Sequence, residues 1–145
     1  MAGKIISVNI SKDKGEKKHN VGKCVLIKDM GLKDDGHAGF MHRQVSLLAQ
    51  ESIEKIKNKG LNVVPGDFAE NLTTEGIDLP SLPIGTKLLV GDGIVLRVTQ
   101  IGKECHTRCA IFQQVGDCVM PREGIFAEVL TEGEVKVGDT IVVSK

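Results

Sequence analysis

Hydrophobic and polar positions alternate along "KIISVNIS", residues 4–11, which puts Ile6, Val8 and Ile10 on one face of a half-buried strand. The alternation stops at "SKDKGEKKHN", which reads as a solvated polar connection. It resumes in "KCVLIKD", a second strand. "MGLKDDGHAGFMHRQVSLLAQ" mixes a glycine-bearing polar loop with an apolar strand that Arg43 opens. The period then changes. In "ESIEKIKNKG" Ile53 and Ile56 share a helical face, Glu51 and Lys55 are spaced for an i,i+4 pair, and Gly60 is placed to end the helix. A turn-rich stretch follows through "VVPGDFAENLTTEGIDLPSLPIG". "KLLVGDGIVLRVTQIG" has the form of a hairpin around Gly91-Asp92-Gly93. "CAIFQQVG" has the length of a short helix, and "GIFAEVLTEGEVKVGDTIVVSK" supplies two or three closing strands around Glu132-Gly133 and Gly138-Asp139. Many short strands with one convincing helix predict a mainly β domain with a few short helices. Closure, full or partial, into a β-barrel would remove the exposed edges.

Composition narrows this picture. The 145 residues suffice for one domain with its own core, and neither an internal repeat nor a linker divides residues 1–145. Basic and acidic residues balance at 19 each, so no overall field draws in nucleic acid or a membrane surface. Trp and Tyr are absent, which removes the stacking platforms of single-strand binders. No apolar run approaches the roughly 20 residues of a membrane span, and the N-terminus lacks the apolar stretch of a signal peptide. The expected location is cytoplasmic, where Cys24, Cys105, Cys109 and Cys118 are reduced thiols.

Candidate chemistry gathers in four segments. "IGKECHTRCAIF" places Cys105, His106, Arg108 and Cys109 together. Structural zinc wants four ligands, commonly as two close cysteine pairs, and here Cys105, His106 and Cys109 are followed only by Cys118. The Cys105–Cys109 spacing exceeds that of a CxxC redox pair. A thiolate is favoured by the adjacent positive charge and, for Cys109, by a helix start; Cys109 also reads as a small core residue beside Ala110, Ile111 and Phe112. "DDGHAGFMHRQVSLL" holds Asp34, Asp35, His37, His42 and Arg43, with glycines that allow close backbone approach. Arg43 offers a fork to phosphate or carboxylate, or is simply solvated. "GDFAENLTTEG" brings Asp67, Glu70 and Asn71 together, either for acid–base work or to fix turns, the turn role being favoured for all three and most for Asp67. "DCVMPREGIF" adds Arg122 as a second anion-binding candidate, before Gly124.

"DGHAGFMHRQVSLL", "PGDFAENLTTEGIDLPSLPIGTKLLVG", "VTQIGKECHTRC" and "MPREGIFAEVL" stand in the order and spacing of a MOSC domain, the domain named after the C-terminal part of molybdenum cofactor sulfurases. The chain resembles a small stand-alone member over about residues 20 to 144. The resemblance implies a barrel of the pyruvate-kinase-barrel-like type. It also implies binding of the molybdenum cofactor (molybdopterin), with Cys105 as molybdenum ligand or sulfur carrier. The implied chemistry is cofactor sulfuration or transfer, or molybdenum-dependent reduction of N-hydroxylated compounds. His37, Arg43, Glu70, Asn71, Arg122 and Gly124 map onto the cofactor pocket, with Cys109 and His106 as secondary candidates. Glu104 stands where the family often has Pro, and Cys109 lies close by, which leaves open whether Cys105 or Cys109 acts or whether the two cycle through a disulfide. The match leaves no room for a pyridoxal-phosphate domain, so a cysteine desulfurase, a cofactor-biosynthesis protein or a redox partner is expected as separate donor. Two alternatives are a cofactor-independent persulfide sulfur-transfer module and a small zinc-binding interaction domain.

Overall fold

The structure, a computed structural model, describes residues 2–12, 17–35, 44–102 and 123–144. Seven strands close into a barrel. Strand β1 (Ala2–Ile10) pairs antiparallel with β6 (Leu72–Glu75) on one side and β11 (Thr140–Val143) on the other. From β11 the ring continues antiparallel through β7 (Lys87–Val90), β8 (Ile94–Ile101) and β9 (Ile125–Thr131) to β5 (Val45–Ala49). It shuts where β5 runs parallel to β6. A parallel neighbour needs a crossover, and helix α1 (Gln50–Lys57) begins that crossover. Strand β2 (His19–Asn20) adds to the end of β1. A separate sheet of β3 (Lys23–Ile27), β4 (Gly31–Leu32) and β10 (Gly133–Lys136) lies in the order β10-β3-β4. The mainly β, closed-barrel expectation is thus met.

Two apolar clusters explain why β5 is buried at every position. Val45, Leu47 and Ala49 belong to the larger cluster, with Ile5, Val8, Leu72, Leu96, Val98 and Ile141. Leu48 belongs to a second one, with Ile53, Ile56, Val63, Phe68 and Phe126. Alternate residues of one strand therefore serve the barrel interior and the layer under α1. Ile53 and Ile56 do share the buried helix face, and Gly60, at φ +97°, ends the turn after the helix.

Two sequence expectations are corrected here. The sequence pattern predicts Ile6, Val8 and Ile10 as the apolar face of β1, but Ile5 is the core residue and Ile6 lies outside both clusters. The β1–β6 register shifts between Ile5 and Ser7, and an extra residue in one strand reverses the facing of everything before it. The Glu51–Lys55 helix pair does not form. Glu51 Oε2 accepts the Gly76 N–H at 2.9 Å, and Lys55 Nζ donates to Glu123 Oε1 at 2.9 Å, so tertiary partners replace a weak helical one. The hairpin at Gly91-Asp92-Gly93 and three strands after Gly124 are as expected.

Candidate functional site

A buried polar node sits where β1, β5 and β6 meet the ends of two loops. Asn71, just before β6, is fully buried and has its whole amide occupied. Its Nδ2 donates to the Asn9 carbonyl at 3.2 Å and to Asp35 Oδ2 at 3.1 Å. Its Oδ1 lies 3.0 Å from the Ser46 N–H and 3.2 Å from Ser46 Oγ. Those four contacts are all that a carboxamide makes. Asp35 Oδ1 in turn accepts from the Ser11 N–H at 3.0 Å and from Lys18 Nζ at 2.7 Å. Lys18 Nζ also donates to Ser11 Oγ at 3.1 Å. The Lys18 and Asp35 side chains are 3% and 0% exposed, so this is a desolvated ion pair, tolerable only with such further hydrogen bonds.

The node continues along the barrel wall. Asn9 Nδ2 donates to the Glu70 carbonyl and to Thr73 Oγ1, and Asn9 Oδ1 accepts from Ser7 Oγ. Glu70 Oε2 accepts the Gly66 N–H at 3.0 Å and lies 2.7 Å from Thr73 Oγ1, while the buried Oε1 has no hydrogen-bond partner among the described residues. Burial pushes the Glu70 carboxyl above its ordinary range, against the lowering effect of the Gly66 and Thr73 bonds. A carboxyl raised on folding binds its proton more tightly in the native chain. Its contribution is fully present at pH below the ordinary value of 4.5 and is lost as pH rises through the raised folded value. Glu70→Gln keeps the shape and removes the charge. Its stability relative to wild type is expected to improve from pH 4 to pH 7.5 in urea unfolding. A difference that does not change with pH would contradict this.

Two strained residues lead directly into the node. Asp34 (φ +65°) precedes Asp35, and Ala69 (φ +63°) precedes Glu70 and Asn71. Left-handed backbone at a residue with a Cβ costs on the order of 1–2 kcal/mol and persists only where its surroundings impose it. Asp67 behaves as a turn residue, its Oδ2 accepting the Val64 N–H at 3.0 Å, as its sequence setting indicates.

Of the residues that the resemblance maps onto the cofactor pocket, Glu70, Asn71 and Gly124 are within the described residues. Glu70 and Asn71 are placed together in the node, with their polar atoms directed inward. Gly124 is buried, and its carbonyl accepts the Gly102 N–H at 2.7 Å, tying together the two ends of residues 103–122. Its neighbour Glu123 is held by Ser52 Oγ at 2.7 Å and by Lys55. His37, Arg43, Cys105, His106, Cys109 and Arg122 lie outside the described residues, as do Cys118 and the expected "CAIFQQVG" helix.

The described strands set where the two chemistry-bearing segments attach. Residues 36–43 lead into the N-terminal end of β5 through Gln44. Residues 103–122 attach beside its C-terminal half, where Ile101 and Leu47 both pair with Ile125. From Gln44 to Leu47 is roughly 10 Å of strand. Cys24, in β3, is half-buried beside the Lys33 carbonyl, and burial pushes its thiol up, the opposite of an activated nucleophile. Among the described residues no group of three His, Cys, Asp or Glu side chains is placed to hold a metal ion.

Sequence reading passes over Lys18, Asn9, Ser46 and Thr73. The pattern predicts a solvated stretch over 11–20; Lys18 departs from this, being 4% exposed while the adjacent Lys17 is exposed. Nothing in "EKKHN" separates the two lysines. Ser46 does carry a signal, as the one polar residue of an otherwise apolar strand, whereas Asn9 falls on the polar side of the alternation in β1.

Comparison with known proteins follows the same segments. The family model described as MOSC domain matches residues 34–142. Among solved structures, the YuaD protein from Bacillus subtilis aligns with a TM-score of 0.81 at 21% identity, covering 97% of this chain and 94% of that one. YiiM from Geobacillus stearothermophilus aligns with a TM-score of 0.73 at 20% identity, over 99% of this chain and 75% of that one. YiiM from Escherichia coli gives 0.67 at 18% identity, over 100% and 70%. These identities speak to fold alone. A search of curated proteins gives no match.

Proposed function

The chain belongs to the MOSC domain family, and from that membership we propose that it binds the molybdenum cofactor and uses Cys105 as molybdenum ligand or sulfur carrier. The observation that carries this reading is the extent of the family match. Residues 34–142 run through both the Gly-His-Ala-Gly segment and the cysteine segment, and the described residues fix both where they join the barrel. The donor set fits the group. A thiolate is a soft ligand suited to molybdenum, and Arg43 and Arg122 suit a pterin phosphate through forked, charge-assisted bonds. His37 adds a neutral hydrogen-bonding edge. Glu70 and Asn71 support the pocket from within its wall, and Gly124 closes the base of the cysteine segment. His106 raises the local positive charge, and Cys109 is a helper or resolving thiol. When bound, the cofactor supplies a redox-active metal for oxygen-atom or sulfur chemistry, with electrons or sulfur delivered by a separate, cytoplasmic partner protein.

No helix among the described residues is long and apolar enough to cross a membrane. Protein purified from a host that makes the cofactor is expected to carry molybdenum, by elemental mass spectrometry, and pterin, by fluorescence after oxidation, in near-equal amounts. Absence of both overturns the proposal. In that event a cysteine gaining the mass of one sulfur atom, after incubation with a cysteine desulfurase, would mark a persulfide carrier instead.

A further inference from the structure

We infer that Lys18 and Asp35 are positioning residues for the cofactor site proposed above, an inference that rests on that reading. Their buried ion pair fixes the backbone at the root of the segment carrying His37 and Arg43. Asp35 is the last described residue before that segment. Among the described residues its carboxylate is held by Ser11 after β1, Lys18 before β2, and Asn71 before β6. These donors from separate elements hold the carboxylate in place, and with it the backbone at Asp35. On the return side Gln44 is equally constrained. Its Oε1 accepts the Val129 N–H at 2.9 Å, and a Cβ on Gly31 would stand 2.2 Å from its carbonyl oxygen.

A wall that needed only stability could do without this. Buried ion pairs are commonly replaceable by neutral side chains of similar volume without loss of stability. The node instead combines two desolvated charges with left-handed backbone at Asp34 and Ala69, one on each arm leading to the Asp35–Asn71 bond. Strain gathered on the two arms of one hydrogen bond is characteristic of a supported functional site. The "ENLT" stretch then has a definite task. Asn71 ties the barrel wall to Asp35, and Lys18 sets the opposite charge against Asp35 in that wall.

The test separates stability from loading. Lys18→Met removes the Lys18 charge from Asp35 and is expected to lower both. Lys18→Met/Asp35→Asn removes both charges while keeping shape. It is expected to recover most of the lost thermal stability, yet to carry at least tenfold less pterin and molybdenum than wild type from the same cofactor-producing host. Lys18→Arg, which keeps the charge, serves if the double variant fails to fold. Its larger head must displace Asp35, so it is expected to stay folded with a melting temperature lower by a few degrees and to load less than wild type. Wild-type loading in a stable neutral pair, or in Lys18→Arg where that is the variant used, overturns the positioning role and leaves the cofactor reading intact. A wild-type protein that carries neither molybdenum nor pterin overturns both.

Discussion

Gly66→Ala is expected to destabilise the fold by about 3 kcal/mol or more, seen as a fall in Tm of roughly 10 °C. Gly66 lies at φ +95°, and a Cβ added there stands 2.2 Å from the Lys18 carbonyl oxygen and 2.9 Å from its carbon. Both obstacles are backbone and cannot rotate away. The two chain segments are also clasped at this point, because the Lys18 N–H donates to the Gly66 carbonyl at 2.8 Å. Relief of the clash must lengthen that bond, shift the Gly66 N–H from Glu70, and drag on the Lys18–Asp35 pair. A matched control isolates the cause. Gly138 has nearly the same φ, +96°, with nothing within 4 Å of an added Cβ. Gly138→Ala therefore meets only the conformational penalty, about 1 kcal/mol. Equal losses in the two variants would show that the close approach at Lys18 contributes nothing.

The same residue illustrates what sequence alone makes legible. "PGDFAENLT" is visible as a turn-rich motif, and the barrel is visible in the spacing of its strands, because strand and turn preferences are local. The hairpin at Gly91 and the Ile53–Ile56 face of α1 follow for the same reason. Facts that depend on a partner far along the chain are not local. Gly66 is required by the Lys18 carbonyl, Ile5 rather than Ile6 faces the core because of a bulge against β6, and Glu51 bonds Gly76 in preference to Lys55. Lys18 is the clearest case. It differs from Lys17 only in what lies across from it, and its partner Asp35 is 17 residues away in sequence. Residue types in "DFAENLT" point to a site, but the orientation of Glu70 and Asn71 into the wall follows from Asn9, Ser46 and Asp35, which no short motif contains.

Cys105→Ser is expected to abolish molybdenum retention, with at least a tenfold loss in metal per chain, while the melting temperature stays within a few degrees of wild type. The change replaces one sulfur by one oxygen. A free thiol, with an ordinary pKa of about 8.5, becomes a thiolate more readily beside positive charge, and His106 and Arg108 follow within three residues of Cys105. A serine hydroxyl has no comparable access to an anion near neutral pH, so it offers only a weak neutral donor where cysteine offers a thiolate. Pterin is expected to be less affected than the metal, because Arg43 and Arg122 are left to hold its phosphate. That split between metal and pterin marks a lost ligand, whereas a collapsed pocket loses both together. Cys109→Ser decides which thiol acts. Retained molybdenum in that variant assigns the ligand to Cys105 and leaves Cys109 as a helper. Loss in Cys109→Ser with retention in Cys105→Ser would move the assignment to Cys109 and overturn the reading of "GKEC" as the reactive position. Equal retention in both single variants would remove either thiol as a required ligand.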